Sequence, residues 1–309
     1  MVHAYDAFEG VRAKLRNKVR YEGADRLGLN GSERMRRDLT KESAKIVRAS
    51  RPEVVLVIKG DVLSEEFWDT VEASGARCCL WLYDELSRME YADETLVRVG
   101  AAGSYSRDDT RALAGLGLRS DYVPLAYEDR DPLPPAQWGS SPEVTFAGAR
   151  YPNREELLRG LVERGVPVRA YGRDWSAHPV DRARTWRVGA PDVPGAREVD
   201  LQEAHRVMAR STATLNIHGS SVNDGFTMRT FEACGAGALQ LIDRDDVDAF
   251  YEPSTEVLVF HDVEEVVECY ERSRRDPGWA RAIREAGRRR TLAEHTFTHR
   301  VRQLEALWT

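Results

Sequence analysis

No stretch of this 309-residue chain approaches the ~18 consecutive apolar residues that a bilayer-spanning helix needs. The N-terminus, MVHAYDAFEG, also lacks the apolar core of a signal peptide. Cysteine is scarce: Cys78 and Cys79 are adjacent in an apolar run, and Cys234 and Cys269 stand alone, which excludes a disulfide framework and the paired spacing of a zinc site. All four are expected to be small core residues, with Cys234 near any site that its neighbours build. A basic excess is missing too. Lys+Arg number 45 against Asp+Glu 51, a net charge of -6, which argues against nucleic acid as a partner and leaves room for a small anion held by a few local arginines. Internal repeats and low-complexity segments are absent. What remains is a chain expected to be soluble and cytoplasmic, without stable membrane insertion, and long enough for two domains.

Short apolar runs recur along it, each followed by a helical pattern: Val54 to Ile58, Cys78 to Tyr83, Val144 to Gly148, Val168 to Gly172, Ala213 to Ile217, Ala238 to Ile242 and Val257 to Phe260. Continuous apolar runs suit parallel strands buried on both faces, and amphipathic segments between them suit crossover helices, so the pattern predicts an α/β fold with parallel sheets. Between Pro124 and Pro142 the periodicity gives way to EDRDPLPPAQWGSSPE, read as a linker. It divides the chain into an N-terminal domain over 1–130 and a C-terminal domain over 131–309. After it, NREELLRGLVERG has the marks of a helix capped by Asn153 and closed by Gly165. From Asp262 to Trp308 the chain reads as nearly all helix, with arginine and glutamate on a solvated face. The basic segment GVRAKLRNKVR near the N-terminus reads the same way, with weak contact to an acidic surface as the alternative.

Chemistry concentrates in SVNDGFTMRTFEACGAGALQLID, Ser221 to Asp243. The strand ATLNI runs into the loop HGSSVNDG, and a helix begins near TMRTFEACGA and ends at Gly235 or Gly237. Asp224 then sits in the strand-to-helix loop and Glu232 about two turns into the helix. Such loops lie at the carboxyl edge of a doubly wound sheet, where ligands bind. The free N–H groups of the helix start, from Phe226 to Arg229, are a ready phosphate site. Arg229 opposes the positive end of the helix dipole there, at a cost of several tenths of a kcal/mol that a bound diphosphate would offset. Glu232, acceptor-only when ionised, suits the two hydroxyls of a ribose, and Asp224 would face the sugar end of the same ligand. The plain alternative is a turn at Asp224–Gly225, an arginine reaching into solvent, and Glu232 paired with that arginine or capping the helix.

DGFTMRTFEACGAG resembles the E-x7-E segment of retaining glycosyltransferases of the GT-B fold, and the variant M-R-T-F-E-A followed by G-A is most similar to the spore-maturation CgeB-type glycosyltransferases. FAGARYPNREELL, RAYGRDW and AEHTFTHRVRQL resemble further parts of that family's donor domain, and VVLVIKGD and LWLYDE resemble strand ends of its acceptor domain. The resemblance implies two Rossmann-like domains facing across a crevice, with a C-terminal helix returning to the first. It implies transfer of a hexosyl group from a nucleotide-diphosphate sugar to a small-molecule or glycan acceptor, retaining and metal-independent, with no cofactor. By the same resemblance, Asp224 contacts the transferred sugar and Glu232 the ribose. Gly148, Arg150 and Arg154 lie in the loop that approaches the diphosphate, Gly172 closes the next strand, and Gly225, Phe226, Thr227 and Met228 offer backbone amides. The chain departs from the pattern in three places. Asp224 stands for a glutamate, Thr227 for a common glycine, and the opening strand and Gly-rich turn of the acceptor domain are not evident in the polar N-terminus.

Positive charge and oriented amides near the phosphates would stabilise the leaving group, with Arg229, Arg150 and Arg154 in that role. In retention the acceptor proton passes to a phosphate oxygen. Inversion would need a base, for which Asp84 or Asp61, each following an apolar strand, is the candidate; capping by Asp61 and pairing of Asp84 with Arg88 are the structural alternatives. Lys59 is either an acceptor-side group or simply exposed. His218, directly after ATLNI, is a donor-site or structural histidine. Asp243–Asp245 imitates a D-x-D metal site but reads as a polar loop, and His295 and His299, spaced i,i+4 on one expected helix, lack a third zinc ligand. Two rival functions stay open: a nucleotide-sugar-binding protein without transferase activity, and a GT-B sugar-nucleotide epimerase.

Overall fold

The computed structural model describes residues 20–21, 23–130, 132–185, 191–219 and 224–309. Expectations for residues 1–19 and for 220–223 of the loop after ATLNI lie outside these. The chain forms two compact units, one running to Pro124 and including Val301–Thr309, the other Leu125–Arg300. No described helix is long and apolar enough to cross a membrane.

The first unit carries a four-stranded parallel sheet in the order β1-β2-β3-β4, with β1 Val54–Ile58, β2 Arg77–Leu82, β3 Ala101–Ser104 and β4 Arg119–Tyr122. Its core joins Leu80 and Leu82 of β2 to Phe67, Trp68, Val71, Leu96 and Leu113 of the crossover helices. β3 and β4, with sequences AAGS and RSDY, carry none of the β-branched or apolar runs that mark the other strands. Crowding explains β3: a Cβ on Gly103 would sit 2.8 Å from Val123 and 2.9 Å from Leu304. Small residues are needed where the last helix meets the sheet.

The second unit holds a six-stranded parallel sheet in the order β10-β9-β8-β5-β6-β7. Its strands are β5 Ser141–Ala147, β6 Val168–Tyr171, β7 Gly195–Ala196, β8 Ser211–Asn216, β9 Gln240–Ile242 and β10 Leu258–Val259. β5 and β8 pair side by side at its centre, Val144 opposite Ala213 and Phe146 opposite Leu215. From β5 the chain winds outward through β6 and β7; it then returns to β8 on the other side of β5 and winds out through β9 and β10. The carboxyl ends of β5 and β8 therefore flank a topological switch point, where successive connections leave in opposite directions and where ligands bind in open α/β sheets.

Helix punctuation corrects two expectations. The helix after β5 runs from Pro152 to Glu163 with Pro152 in its first turn, where a missing N–H costs nothing, so Asn153 is not its cap. The C-terminal segment forms three helices, Val263–Arg275, Pro277–Glu294 and Phe297–Trp308. His295 ends the second and His299 lies in the third, so the two histidines do not share a helix face. His299 Nδ1 bonds Thr296 at 2.7 Å, while His295 packs against Phe231, Phe250 and Tyr251.

The arginines of this segment are not all on a solvated face. Arg284 is 4% exposed and donates to four backbone carbonyls, those of Ala209, Gly237, Ser211 and Thr212. It thereby ties the helix Pro277–Glu294 to the start of β8 and to the end of the helix before β9. Burial pushes its pKa down to about 10. Replacing it with methionine keeps the apolar stem and orphans the carbonyls. Arg284→Met is expected to cost about 3 kcal/mol or more in chemical denaturation, with Arg284→Lys less damaging; equal stability of all three proteins would show that water satisfies the carbonyls.

His295 sets a pH dependence. Burial lowers its pKa from 6.5 to about 4, and the carbonyl of Phe250 on Nε2 with Arg300 on Nδ1 fits the neutral ring. The unfolded chain binds the proton first, so stability is complete above pH 6.5 and falls as the pH drops toward 4, by up to about 3 kcal/mol from this group. His295→Gln is expected to flatten the dependence of the unfolding free energy on pH across that window; an unchanged slope would assign the acid sensitivity elsewhere.

Candidate functional site

The loops that leave β5 and β8 are stitched together across the switch point. Arg154, in the first turn of the helix after β5, donates from Nε to the carbonyl of Ile217 at 2.9 Å and from Nη1 to that of Ala149 at 3.1 Å. Asn153, freed from capping, donates to the carbonyl of His218 at 3.0 Å. Arg229, at the start of the helix after β8, reaches back to the carbonyl of Ala147 at 3.2 Å. Three of these four bonds, those to Ile217, His218 and Ala147, cross from the end of one central strand to the end of the other.

The arginines differ in what charge they have left. Arg150 forks onto Glu155, at 2.8 Å through Nε, and stacks over Trp175, so its charge is matched. Arg229 is bonded to Glu232. Arg154 is buried against the rings of Phe146 and Tyr151, and its partners among the described residues are carbonyls, not a carboxylate. Desolvation lowers its pKa, with Tyr151 and Asp243 pulling the other way. A buried cation without an ion-pair partner attracts an anion strongly.

Backbone shape keeps this corner open. The carbonyl of Gly148 accepts a 2.9 Å bond from the Trp175 indole. Gly172 has φ +152°, and a Cβ there would lie 2.8 Å from the same carbonyl, so a side chain at this position would strain the backbone and displace the loop after β5.

A buried polar network places the helix after β8. Asn216, the last residue of β8, donates to Thr230 at 2.9 Å and to Gln240 at 3.3 Å, and accepts from the Thr227 hydroxyl at 3.2 Å. The helix then runs Arg229–Ala236 and is closed by Gly237 at φ +84°. Its hydrogen-bonded ladder begins, among the described residues, with Thr230, Phe231 and Glu232 donating to Thr227 and Met228. Gly225 and Phe226 are buried beside them, and the Phe226 ring sits edge-on to His218 and under Arg244. Asp224 presents its carbonyl to Arg244 at 3.4 Å.

Glu232 is 2% exposed and lies between two basic groups. Arg229 bonds one carboxylate oxygen, and His205 Nε2 lies 3.9 Å from the other, beyond hydrogen-bond reach. Burial alone would raise the Glu232 pKa, but His205 and the Arg229 charge outweigh it and hold the carboxyl below the usual range. The pairing of Glu232 with a neighbouring arginine, one of the two readings of the motif, is thus present in the protein, and it neutralises the cation that opposes the helix dipole.

His218 is held by one carboxylate twice. Asp243 accepts from its backbone N–H at 2.8 Å and from Nδ1 at 2.7 Å, which leaves Nε2 buried and without a hydrogen-bond partner. Asp243 is therefore spent on His218 and Asp245 on His261, at 3.0 Å. Among the described residues no cluster of three or more metal-ligating side chains occurs.

In the first unit, Lys59 and Asp84, at the ends of β1 and β2, meet at 3.4 Å, and Asp84 also binds Arg88 at 3.1 Å. Lys59 has φ +65°, and its carbonyl accepts from the Tyr91 hydroxyl. Asp61 does not cap the helix that follows; Ser64 holds that position, and the Asp61 carbonyl accepts from Arg36 at 2.9 Å. The residue pattern gives no role to His205 or Asn216, makes Asn153 a helix cap and makes Asp243 part of a polar loop; the structure gives all four a place at the site. The available signal was a polar residue ending or following an otherwise apolar strand, as at Asn216 and Asp243; a lone histidine within an amphipathic helix, as at His205, carries none.

This geometry agrees with the comparisons to known proteins. The family model described as glycosyl transferase-like matches residues 152–306, just over half of the chain, and the chain belongs to that family. No curated protein matches it. Among solved structures it is similar to HepE of Anabaena, crystallised with UDP and glucose, at 12% identity and TM-score 0.59 over 87% of this chain and 81% of that one. It is also similar to sucrose-phosphate synthase of Thermosynechococcus elongatus, at 11% identity and TM-score 0.59 over 89% and 78%. A putative UDP-N-acetylglucosamine 2-epimerase of Listeria monocytogenes matches at 12% identity and TM-score 0.51 over 84% and 77%. At these identities the likeness is one of fold, and the fold is GT-B.

The ionisation of Glu232 gives a direct check on the site. Arg229→Met is expected to move the Glu232 carboxyl titration, followed by carbon-13 NMR, to higher pH, because burial then faces one basic neighbour fewer; an unmoved titration would mean that His205 alone sets it.

Proposed function

We propose that the protein is a glycosyltransferase that moves a hexosyl group from a nucleotide-diphosphate donor, held by the C-terminal unit, to a small-molecule or glycan acceptor, without a metal. Family membership supports the class of reaction. The observation that carries the site is Arg154, a buried cation at the switch point with no carboxylate partner among the described residues. A diphosphate placed there would meet Arg154, the free edge of Arg229 and the amides that precede Thr230, a set of preorganised positive groups that stabilises a departing diphosphate without reorganisation.

In this reading Glu232 receives the ribose and Asp224 faces the transferred sugar, while Gly148 and Gly172 keep side chains out of the phosphate path. The reaction retains configuration: the acceptor attacks from the leaving-group side and its proton passes to a phosphate oxygen, so no side chain serves as base. Lys59, Asp61 and Asp84 are the groups offered to the acceptor. The motif variant M-R-T-F-E-A places the chain nearest the CgeB-type branch of these enzymes.

Thermal shift with UDP, dTDP, GDP and their sugars, in EDTA, tests the donor site, since a ligand that binds the folded state raises its melting temperature. A shift with one nucleotide family, lost in Glu232→Ala and reduced in Arg154→Leu, is expected. No shift with any of them would remove the proposal. Incubation of the bound sugar nucleotide with and without acceptors then separates transfer from epimerisation, and the anomeric configuration of the product decides retention.

A further inference from the structure

The second unit has a cavity of about 220 Å³ lined by Glu128, Arg130, Asp200, Leu201, Gln202 and His205. Its lining is polar except for Leu201. His205 comes from the helix Leu201–Arg210, lines this cavity, and has its Nε2 3.9 Å from Glu232 Oε1. It is 7% exposed, its ring packs 5.2 Å from that of Tyr127, and its Nε2 is buried with no hydrogen-bond partner. An orphaned imidazole nitrogen in a desolvated position is costly unless something else completes it.

Glu232 supplies half of the matching demand. Its Oε2 is taken by Arg229, while its Oε1 faces His205 Nε2 across 3.9 Å. That gap is too long for a hydrogen bond between the two and closes around a single hydroxyl, after a small rotation of either side chain. A hydroxyl needs both an acceptor for its hydrogen and a donor for its oxygen. An ionised carboxylate can only accept, so it can take the hydrogens of a diol but leaves the oxygens unserved. His205, with its proton on Nε2, is the missing donor.

Resting on the donor-site reading above, we infer that His205 completes the ribose subsite and makes the protein selective for ribonucleotides over 2′-deoxyribonucleotides, the 2′-hydroxyl bridging Glu232 Oε1 and His205 Nε2. The cavity that His205 lines is large enough for a pentose, and its polar lining can serve the rest of a nucleoside. His205 acts on the bound ligand directly, so its removal should be felt by one hydroxyl and not by the ligand as a whole.

Calorimetric titration in EDTA with the pairs UDP and dUDP, ADP and dADP, and GDP and dGDP tests this. For whichever base the protein accepts, the wild type is expected to bind the ribonucleotide about tenfold more tightly, the worth of one buried hydrogen bond. In His205→Ala, where Glu232 still accepts from the 2′-hydroxyl, the ratio should fall by about threefold or more while the affinity for the deoxynucleotide stays within about twofold. His205→Gln, which keeps an N–H donor, should restore part of the ratio and serves as the variant of record if the alanine protein does not fold. A ratio preserved in His205→Ala, an equal loss for both members of a pair, or no ribose preference in the wild type would each overturn the inference while leaving nucleotide binding intact. Absence of binding by every nucleotide to the wild type would instead overturn the donor-site reading, and this inference with it.

Discussion

The architecture of the second unit turns on one constraint: two central parallel strands, β5 and β8, end side by side and their connections leave in opposite directions. Beyond the last ladder bond, the carbonyls of Ala147, Ile217 and His218 need donors that no neighbouring strand supplies. Arg229, Arg154 and Asn153 supply them. The same bonds hold the crevice in shape and bring two guanidinium groups to it, so satisfying the backbone and building an anion-attracting corner are one structural act.

Arginine is used in two ways throughout this unit, and the difference has chemical consequences. Where it meets a carboxylate, as Arg150 does with Glu155, its charge is closed off. Where it meets only carbonyls, as Arg284 and Arg154 do, the charge stays available to a longer-range partner. Arg284 lies deep under the amino end of β8, where it serves as a clamp. Arg154 lies at the carboxyl end, where a ligand can reach the field it creates. Arg229 is intermediate: Glu232 neutralises it and is itself kept ionised by it.

Much of the architecture was legible in the residues. The apolar runs at β1, β2, β5, β6 and β8 announced strands, β8 being buried along its whole length, and the helix ending at Gly237 announced itself through a position that demands positive φ. β3 escaped notice because packing against Val123 and Leu304 selects small residues that carry no strand signal, and β4, RSDY, because it is a half-exposed polar strand. Asn153 and the histidines of the last helices were misplaced for a related reason. A proline at the first turn and a break after Glu294 depend on where neighbouring elements leave room, which residue spacing does not report.

By itself the amino-acid sequence determined the α/β alternation, the division into two units' worth of chain and the local motif from Asp224 to Glu232, because these rest on periodicity, turn chemistry and residue type within a few turns of backbone. Tertiary structure alone decided which arginine keeps its charge, that Asp243 is spent on His218, and that His205 stands beside Glu232. Those outcomes join residues from separate strands and helices, some of them dozens of positions apart, and only the order in which the strands assemble brings them within hydrogen-bonding or ion-pairing range.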